Sequence, residues 1–176
     1  MLPYRYINHD ELADLLRASG KADEPKKVAV VDCRDEDFAG GNIPGAIRAP
    51  SEQRTDASIR KLVEELKDVP KVVFHCSLSQ VRGPKTARIY AEAAAAAHLP
   101  LTAAPTSSSS TDPAEAAKHF SPNPFEGRKE GEQEVLVLRD GFKNWQALYK
   151  NDPVLVENHD KAVWVDYSSM FGPQAY

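Results

Sequence analysis

KVVFHCSLSQVRGPKTARIY, residues 71 to 90, runs from a short apolar segment through a loop into a helix-forming stretch, and the loop carries Cys76 and Arg82 with five residues between them. The apolar segment, KVVF, reads as a strand buried on both faces, as in a parallel sheet. Pro84 suits the first turn of a helix, and the alanine-rich continuation toward His98 is strongly helix-forming, with small faces that can lie close to a sheet. Strand, tight loop and helix in that order place Cys76 at the carboxyl end of a strand, where α/β sheets bind their ligands.

The same alternation extends on both sides. Upstream, KKVAVVDCR contains the run Val28 to Val31, a second doubly buried strand, and the Gly- and Pro-rich segment DEDFAGGNIPGAIRAP (35 to 50) follows it as a loop. Thr55 or Asp56 can cap a helix whose Ile59, Leu62, Val63 and Leu66 recur at helical spacing. Tyr4 to Ile7 reads as a short edge strand, and Asn8 with Glu11 forms a capping-box pattern for a helix with Leu12, Leu15 and Leu16 on its apolar face, ended by Gly20. Downstream, EVLVL (134 to 138) is a further buried strand and GFKNWQALY opens a helix with Phe142 and Trp145 as core anchors. The expectation is a three-layer α/β domain over residues 1–150 with a mostly parallel central sheet and right-handed crossovers. Residues 102–133, polar and rich in serine and proline, read as a flexible insertion that buries too little apolar surface to offset ordering entropy. The tail, 151–176, carries apolar and aromatic residues such as Trp164 and Tyr167 that can pack back on the domain.

Composition narrows the function classes. In 176 residues, 22 basic and 26 acidic side chains give a net charge of −4, and no basic block is present to drive counterion release, so neither a nucleic acid nor an anionic membrane is an expected partner. The N-terminal segment lacks the basic start and apolar core of a signal peptide, and no apolar run reaches membrane-spanning length. A cytoplasmic or nuclear monomer is expected. The two cysteines, Cys33 and Cys76, are too few for a disulfide framework and lack zinc-site spacing, so no metal and no cofactor is expected.

Cys76, Ser77, Leu78, Ser79, Gln80, Val81 and Arg82 must turn the chain sharply, which leaves successive backbone N–H groups free to converge on an anion. The positive end of the following helix adds to that potential, and Arg82 offers a planar fork to two oxygens of a tetrahedral oxyanion. A positive field of this kind favours the thiolate form of a cysteine, the form that attacks. The implied chemistry is in-line attack by the Cys76 sulfur on phosphorus, giving a cysteinyl-phosphate that water hydrolyses, with Arg82 and the loop N–H groups holding the other oxygens. His75 and the hydroxyls of Ser77 and Ser79 are supporting candidates. Lys85, Arg88, Arg139 and Lys143 read as solvated charges rather than a basic rim.

With VVDCRDEDFAGGNIPGAIRAP (30 to 50), HCSLSQVRGPKTAR (75 to 88) and LRDGFKNW (138 to 145) in this order, the chain resembles the rhodanese-fold phosphatases of the M-phase inducer (cell-division-cycle) type and the eukaryotic arsenate reductases of the same fold, the small plant and fungal members in particular. The resemblance implies a rhodanese-like fold, a protein tyrosine or dual-specificity phosphatase activity, and Cys76 and Arg82 as its catalytic pair. Sulfurtransferases of this fold usually carry a six-residue loop, whereas the phosphatases and arsenate reductases carry seven residues, as Cys76 to Arg82 does. Thiosulfate sulfur transfer is therefore a weaker reading, and a non-catalytic phosphate-binding module is favoured only if the loop is collapsed or Cys76 inert. The expected substrates are a phosphorylated protein or a small phosphate or arsenate oxyanion, with glutathione and glutaredoxin as reductants in the arsenate case.

The resemblance also gives Cys33 a role as redox partner of Cys76, able to trap its sulfenic acid as a disulfide; the alternative is a small buried hydrophobe. Asp32 and Arg34 fit structural hydrogen bonds beneath the loop. One position departs from the M-phase inducer pattern: Val81 stands where those enzymes have a glutamate, so the loop holds no carboxylate. Protonation of the leaving group then needs Asp35, Glu36 or Asp37, or a substrate that is already mono-protonated. Arsenate reduction depends less on that proton.

Overall fold

The structure, a computed structural model, describes residues 2–19, 26–97 and 132–164. Strand β1 spans Arg5–Ile7, β2 Val28–Asp32, β3 Ile47–Arg48, β4 Lys71–His75 and β5 Glu134–Leu138; helix α1 spans His9–Ala18, α2 Asp56–Leu66, α3 Arg82–Ala96 and α4 Gly141–Tyr149. The strands form one five-stranded sheet in the order β1-β5-β4-β2-β3, with every pairing parallel. All residues of β2 and β4 are buried, as strands covered on both faces require. Helices α2 and α3 cover one face through Ile59, Leu62, Val63, Leu66, Ala87, Tyr90, Ala91 and Ala94. Helices α1 and α4 cover the other through Leu12, Leu15, Phe142 and Trp145. This is the three-layer α/β arrangement expected from the sequence, with β4 at the centre of the sheet.

Local signals set some helix ends and are overridden by tertiary contacts at others. Thr55 caps α2: its hydroxyl accepts from the Ser58 N–H at 3.1 Å, and Ser58 returns the contact to the Thr55 N–H. The capping box expected at Asn8 and Glu11 does not form, because arginines claim both side chains. Arg139 Nε donates to Asn8 Oδ1 at 3.0 Å, and Arg5 Nη2 to Glu11 Oε1 at 3.3 Å. The 35–50 segment contains β3, whose two residues are too short to leave a periodic signal.

Gln133 belongs by composition to the polar insertion, yet it is buried beside β5. Its amide donates to the carbonyls of Leu66 and Val69, at 2.6 and 2.8 Å, and accepts from the Tyr90 hydroxyl at 2.8 Å. A polar residue satisfied on all sides can be interior where composition predicts solvent. The rest of the expected insertion except Glu132, together with Gly20, His98 and Tyr167, lies outside the described residues. Of the tail, the described residues 151–164 pack on the domain, and the rest lies outside the described residues. Trp145 Nε1 donates to Leu155 O at 2.9 Å, Asn42 and Glu157 form an antiparallel bridge, and Trp164 Nε1 donates to Gly40 O at 2.8 Å.

Candidate active site

Cys76 follows directly on the central strand, and α3 begins at Arg82, so the intervening loop spans the carboxyl end of β4 and the amino end of a helix. Cys76 is 3% exposed, and its Sγ accepts the Ser79 N–H at 3.2 Å. Ser79 reaches that contact through a left-handed backbone, φ 52°, which is uncommon for a residue with a side chain and reverses the direction of its amide. The Ser79 hydroxyl is buried without a hydrogen-bond partner. Val81 occupies the N-cap position of α3 and provides no side-chain cap, so no capping side chain competes for the amides of the first helical turn. Leu78, Gln80 and Val81 face outward, and Val81 is 70% exposed.

The outside of the loop is braced by α4. The Phe142 N–H donates to Cys76 O at 2.9 Å and the Lys143 N–H to Ser77 O at 3.0 Å. With its carbonyls held by a helix terminus, the loop can direct amides the other way. Gly141 makes that approach possible at φ +62°; a Cβ there would lie 2.5 Å from Ser77 O and 2.6 Å from Cys76 O. Gly83 performs a similar service on the other side, where a Cβ would come within 3.2 Å of the His75 carbonyl carbon.

Beneath the loop, Asp32 and Arg34 form a buried forked pair, with Nε to Oδ1 at 3.0 Å and Nη2 to Oδ2 at 2.6 Å. Arg34 also donates to Gly41 O at 2.9 Å and lies 4.0 Å from the centre of the Phe142 ring. Burial alone would raise the Asp32 carboxyl, and interaction with His75 and Arg34 outweighs it, so its pKa is lowered. His75 stacks on Phe142; its Nδ1 is 3.3 Å from Cys76 O, and its Nε2 is buried without a hydrogen bond, 3.7 Å from Asp32 Oδ2. Burial lowers the His75 pKa, against the opposing pull of the Asp32 carboxylate.

Arg82 is placed at the mouth of the loop, where its fork meets carboxylates. Nη1 donates to Asp37 Oδ1 at 2.7 Å and to Asp35 Oδ2 at 3.1 Å, while Nη2 donates to Asp37 Oδ2. The Ser77 hydroxyl donates to the same Asp37 oxygen. Hydrogen bonding from Arg82 holds Asp37 well below the usual carboxylate range, and the same contacts raise Arg82 further. Of the acidic candidates named from sequence, the structure thus brings Asp35 and Asp37 to Arg82. The DED run signalled their proximity in the chain, but only the folded loop shows which of them meets the arginine.

Cys33 follows β2 as Cys76 follows β4. Its N–H donates to His75 O at 2.8 Å, and the two side chains share one core cluster. Burial pushes the Cys33 thiol up to about 12. Arg88 and Arg139 are engaged away from the loop, with Glu92 and with Asn8 and the Tyr6 ring.

Residues 9–148 match the rhodanese-like domain family. The chain belongs to that family. Among rhodanese relatives, it is 30% identical over 152 residues to the dual specificity phosphatase ibp1 of Schizosaccharomyces pombe, covering 86% of this chain and 95% of that one. It is 45% identical over 126 residues to the dual specificity phosphatase Cdc25 of Arabidopsis thaliana, across 70% of this chain and 64% of the relative. A solved rhodanese-fold neighbour, the As/Sb reductase of Leishmania major, superposes with a TM-score of 0.58 at 29% identity, over 87% of this chain and 84% of the other.

Proposed function

We propose that this rhodanese-family protein is a cysteine-dependent phosphatase of the dual-specificity type. The observation that carries the reading is Cys76 Sγ set on the floor of the Cys76–Arg82 loop, receiving the Ser79 amide at 3.2 Å between the central strand and the start of α3. The sulfur attacks phosphorus, the P–O bond to the leaving group breaks, and the loop amides with the first turn of α3 hold the equatorial oxygens. Arg82 lies at the rim, ready to exchange its carboxylate partners for two of those oxygens. Water then attacks the cysteinyl-phosphate and releases phosphate and the thiolate. The Ser77 and Ser79 hydroxyls of the loop are the candidate donors to the departing sulfur, and His75 and Asp32 support the loop from below. Likeness to the two dual specificity phosphatases supports this reading.

Arsenate reduction is the second reading, favoured by likeness to the As/Sb reductase and by Val81, which leaves the loop without a carboxylate of its own. The same thiolate would attack arsenic, with glutathione and glutaredoxin as the reductants. The substrates proposed are accordingly a phosphorylated protein or a small phosphate or arsenate oxyanion, met in the cytoplasm or nucleus.

One preparation tests these readings. The wild-type protein is expected to hydrolyse 4-nitrophenyl phosphate, and Cys76→Ser to lose that activity while still binding vanadate. Hydrolysis that persists in Cys76→Ser excludes the covalent route. Parallel assays of arsenate reduction with glutathione and glutaredoxin, and of thiosulfate sulfur transfer, rank the three chemistries.

A further inference from the structure

The carboxylates on Arg82 differ in what else holds them. Asp35 is tied to its own side of the molecule: it accepts from the Ser51 hydroxyl at 2.6 Å and from the Glu52 N–H at 3.0 Å. Asp37 accepts the Asp35 N–H at 3.0 Å, and its other side-chain partners are Arg82 and Ser77, both members of the anion loop. A substrate oxyanion seated over Cys76 competes for the very guanidinium that Asp37 occupies. When Arg82 turns to the oxyanion, Asp35 keeps its anchors. Asp37 keeps the Ser77 hydroxyl next to the nucleophile and loses its principal cation.

We propose that Asp37 is the proton donor to the leaving oxygen, and that substrate binding activates it by taking Arg82 away. The inference rests on the phosphatase reading and deepens it. As Arg82 turns to the oxyanion, Asp37 takes up one proton from the mono-protonated phosphate ester or from solvent; in the first step the S–P bond then forms, the P–O bond breaks, and that proton goes from the Asp37 carboxyl to the departing oxygen, leaving Asp37 a carboxylate. In the second, that carboxylate takes a proton from the attacking water as the S–P bond breaks and the thiolate leaves, which restores the acid. The free protein keeps Asp37 ionised through Arg82. Loss of that hydrogen bond and the approach of a substrate anion both act to raise it, so the carboxyl becomes an acid when a leaving group is present to receive its proton. This also accounts for a loop without its own carboxylate: the donor comes from the DED run beyond β2.

The test compares two esters that differ in how much they need the proton. The nitrophenolate of 4-nitrophenyl phosphate leaves readily, whereas the phenolate of phenyl phosphate is a much poorer leaving group. Asp37→Asn is expected to lower kcat/KM, which reports the leaving-group step and not breakdown of the shared cysteinyl-phosphate, by about 10²-fold or more on phenyl phosphate and by less than about 10-fold on 4-nitrophenyl phosphate. Its inhibition by vanadate is expected to be no weaker than that of wild type, since Arg82 is freed. Asp35→Asn, which disturbs an anchored residue, is expected to affect both esters equally, and Asp37→Glu to recover part of the phenyl phosphate activity. Equal losses on the two esters in Asp37→Asn, or no loss on phenyl phosphate, overturn the assignment while leaving the phosphatase reading intact. A wild-type protein that hydrolyses neither ester removes both.

Discussion

Gly141 shows how much of the site depends on an atom that is missing from a side chain. Its φ of +62° is favourable for glycine, and the space a Cβ would fill is already taken by the carbonyls of Ser77 and Cys76. Alanine there must either hold the left-handed conformation, at about 1–2 kcal/mol, or leave it, and its Cβ must push away backbone atoms that cannot rotate aside. We expect Gly141→Ala to cost about 2–4 kcal/mol in a denaturant titration, in the range of mutations that strain a special backbone position. At a temperature where the variant is still folded, kcat should fall at least 10-fold, because the displaced carbonyls belong to Cys76, the proposed nucleophile, and its neighbour. Retention of full activity would mean that the brace from α4 does not set the loop geometry. Val81 is the contrasting case: with 70% of its surface exposed it makes little packing, and its side chain carries no proton to give.

Between elements, the register of β2 against β4 brings the two cysteines together. The ladder pairs Asp32 with His75, and the Cys33 N–H continues it to His75 O, so Cys33 and Cys76 are the next residues along neighbouring strands. Strands in a sheet lie about 4.8 Å apart, which falls within the Cα separation a disulfide spans. Mild peroxide should oxidise Cys76 to its sulfenic acid, and attack by Cys33 should release water and close the Cys33 to Cys76 bond. Because burial pushes the Cys33 thiol up to about 12, closure should accelerate as pH rises and more thiolate forms. Mass spectrometry after oxidation checks this; over-oxidised Cys76 beside reduced Cys33 would count against the pairing. The strand ends that carry these residues were legible in the sequence, because uninterrupted runs such as VAVV and KVVF announce doubly buried strands. The contacts that complete the site were harder to read. Asp37 meeting Arg82 depends on the path of a loop with little periodicity, and Gly141 meeting Cys76 O depends on the approach of a helix that lies far along the chain. Asn8 shows the opposite failure, a clear local cap signal lost to Arg139, a cation brought in by tertiary structure.

For the whole molecule, the buried charges predict a direction of pH sensitivity. Asp32 lies under the active loop, and Glu134 meets Lys71 and Arg5 at the opposite ends of the strands. Burial alone would raise both carboxyls, but their cationic neighbours outweigh it and hold them below their ordinary values of 3.8 and 4.5. His75 is held below its ordinary value of 6.5 by burial. A depressed folded-state pKa means that the unfolded chain binds protons first, so each of these contributions is complete above the ordinary value and is lost as pH falls toward the folded one. All three therefore act with the same sign. Denaturant titrations should show stability declining first below about pH 6.5, as the unfolded chain gains the His75 proton, and again below about 4.5, as it gains those of Glu134 and Asp32, with a slope of at most about 1.4 kcal/mol per pH unit for each proton. His75→Asn, whatever its absolute stability, should show a shallower first decline while keeping the part of the second that belongs to Glu134. If that variant instead declines as steeply as wild type between pH 7 and 5, the His75 ring is not the group whose burial couples the centre of the sheet to pH.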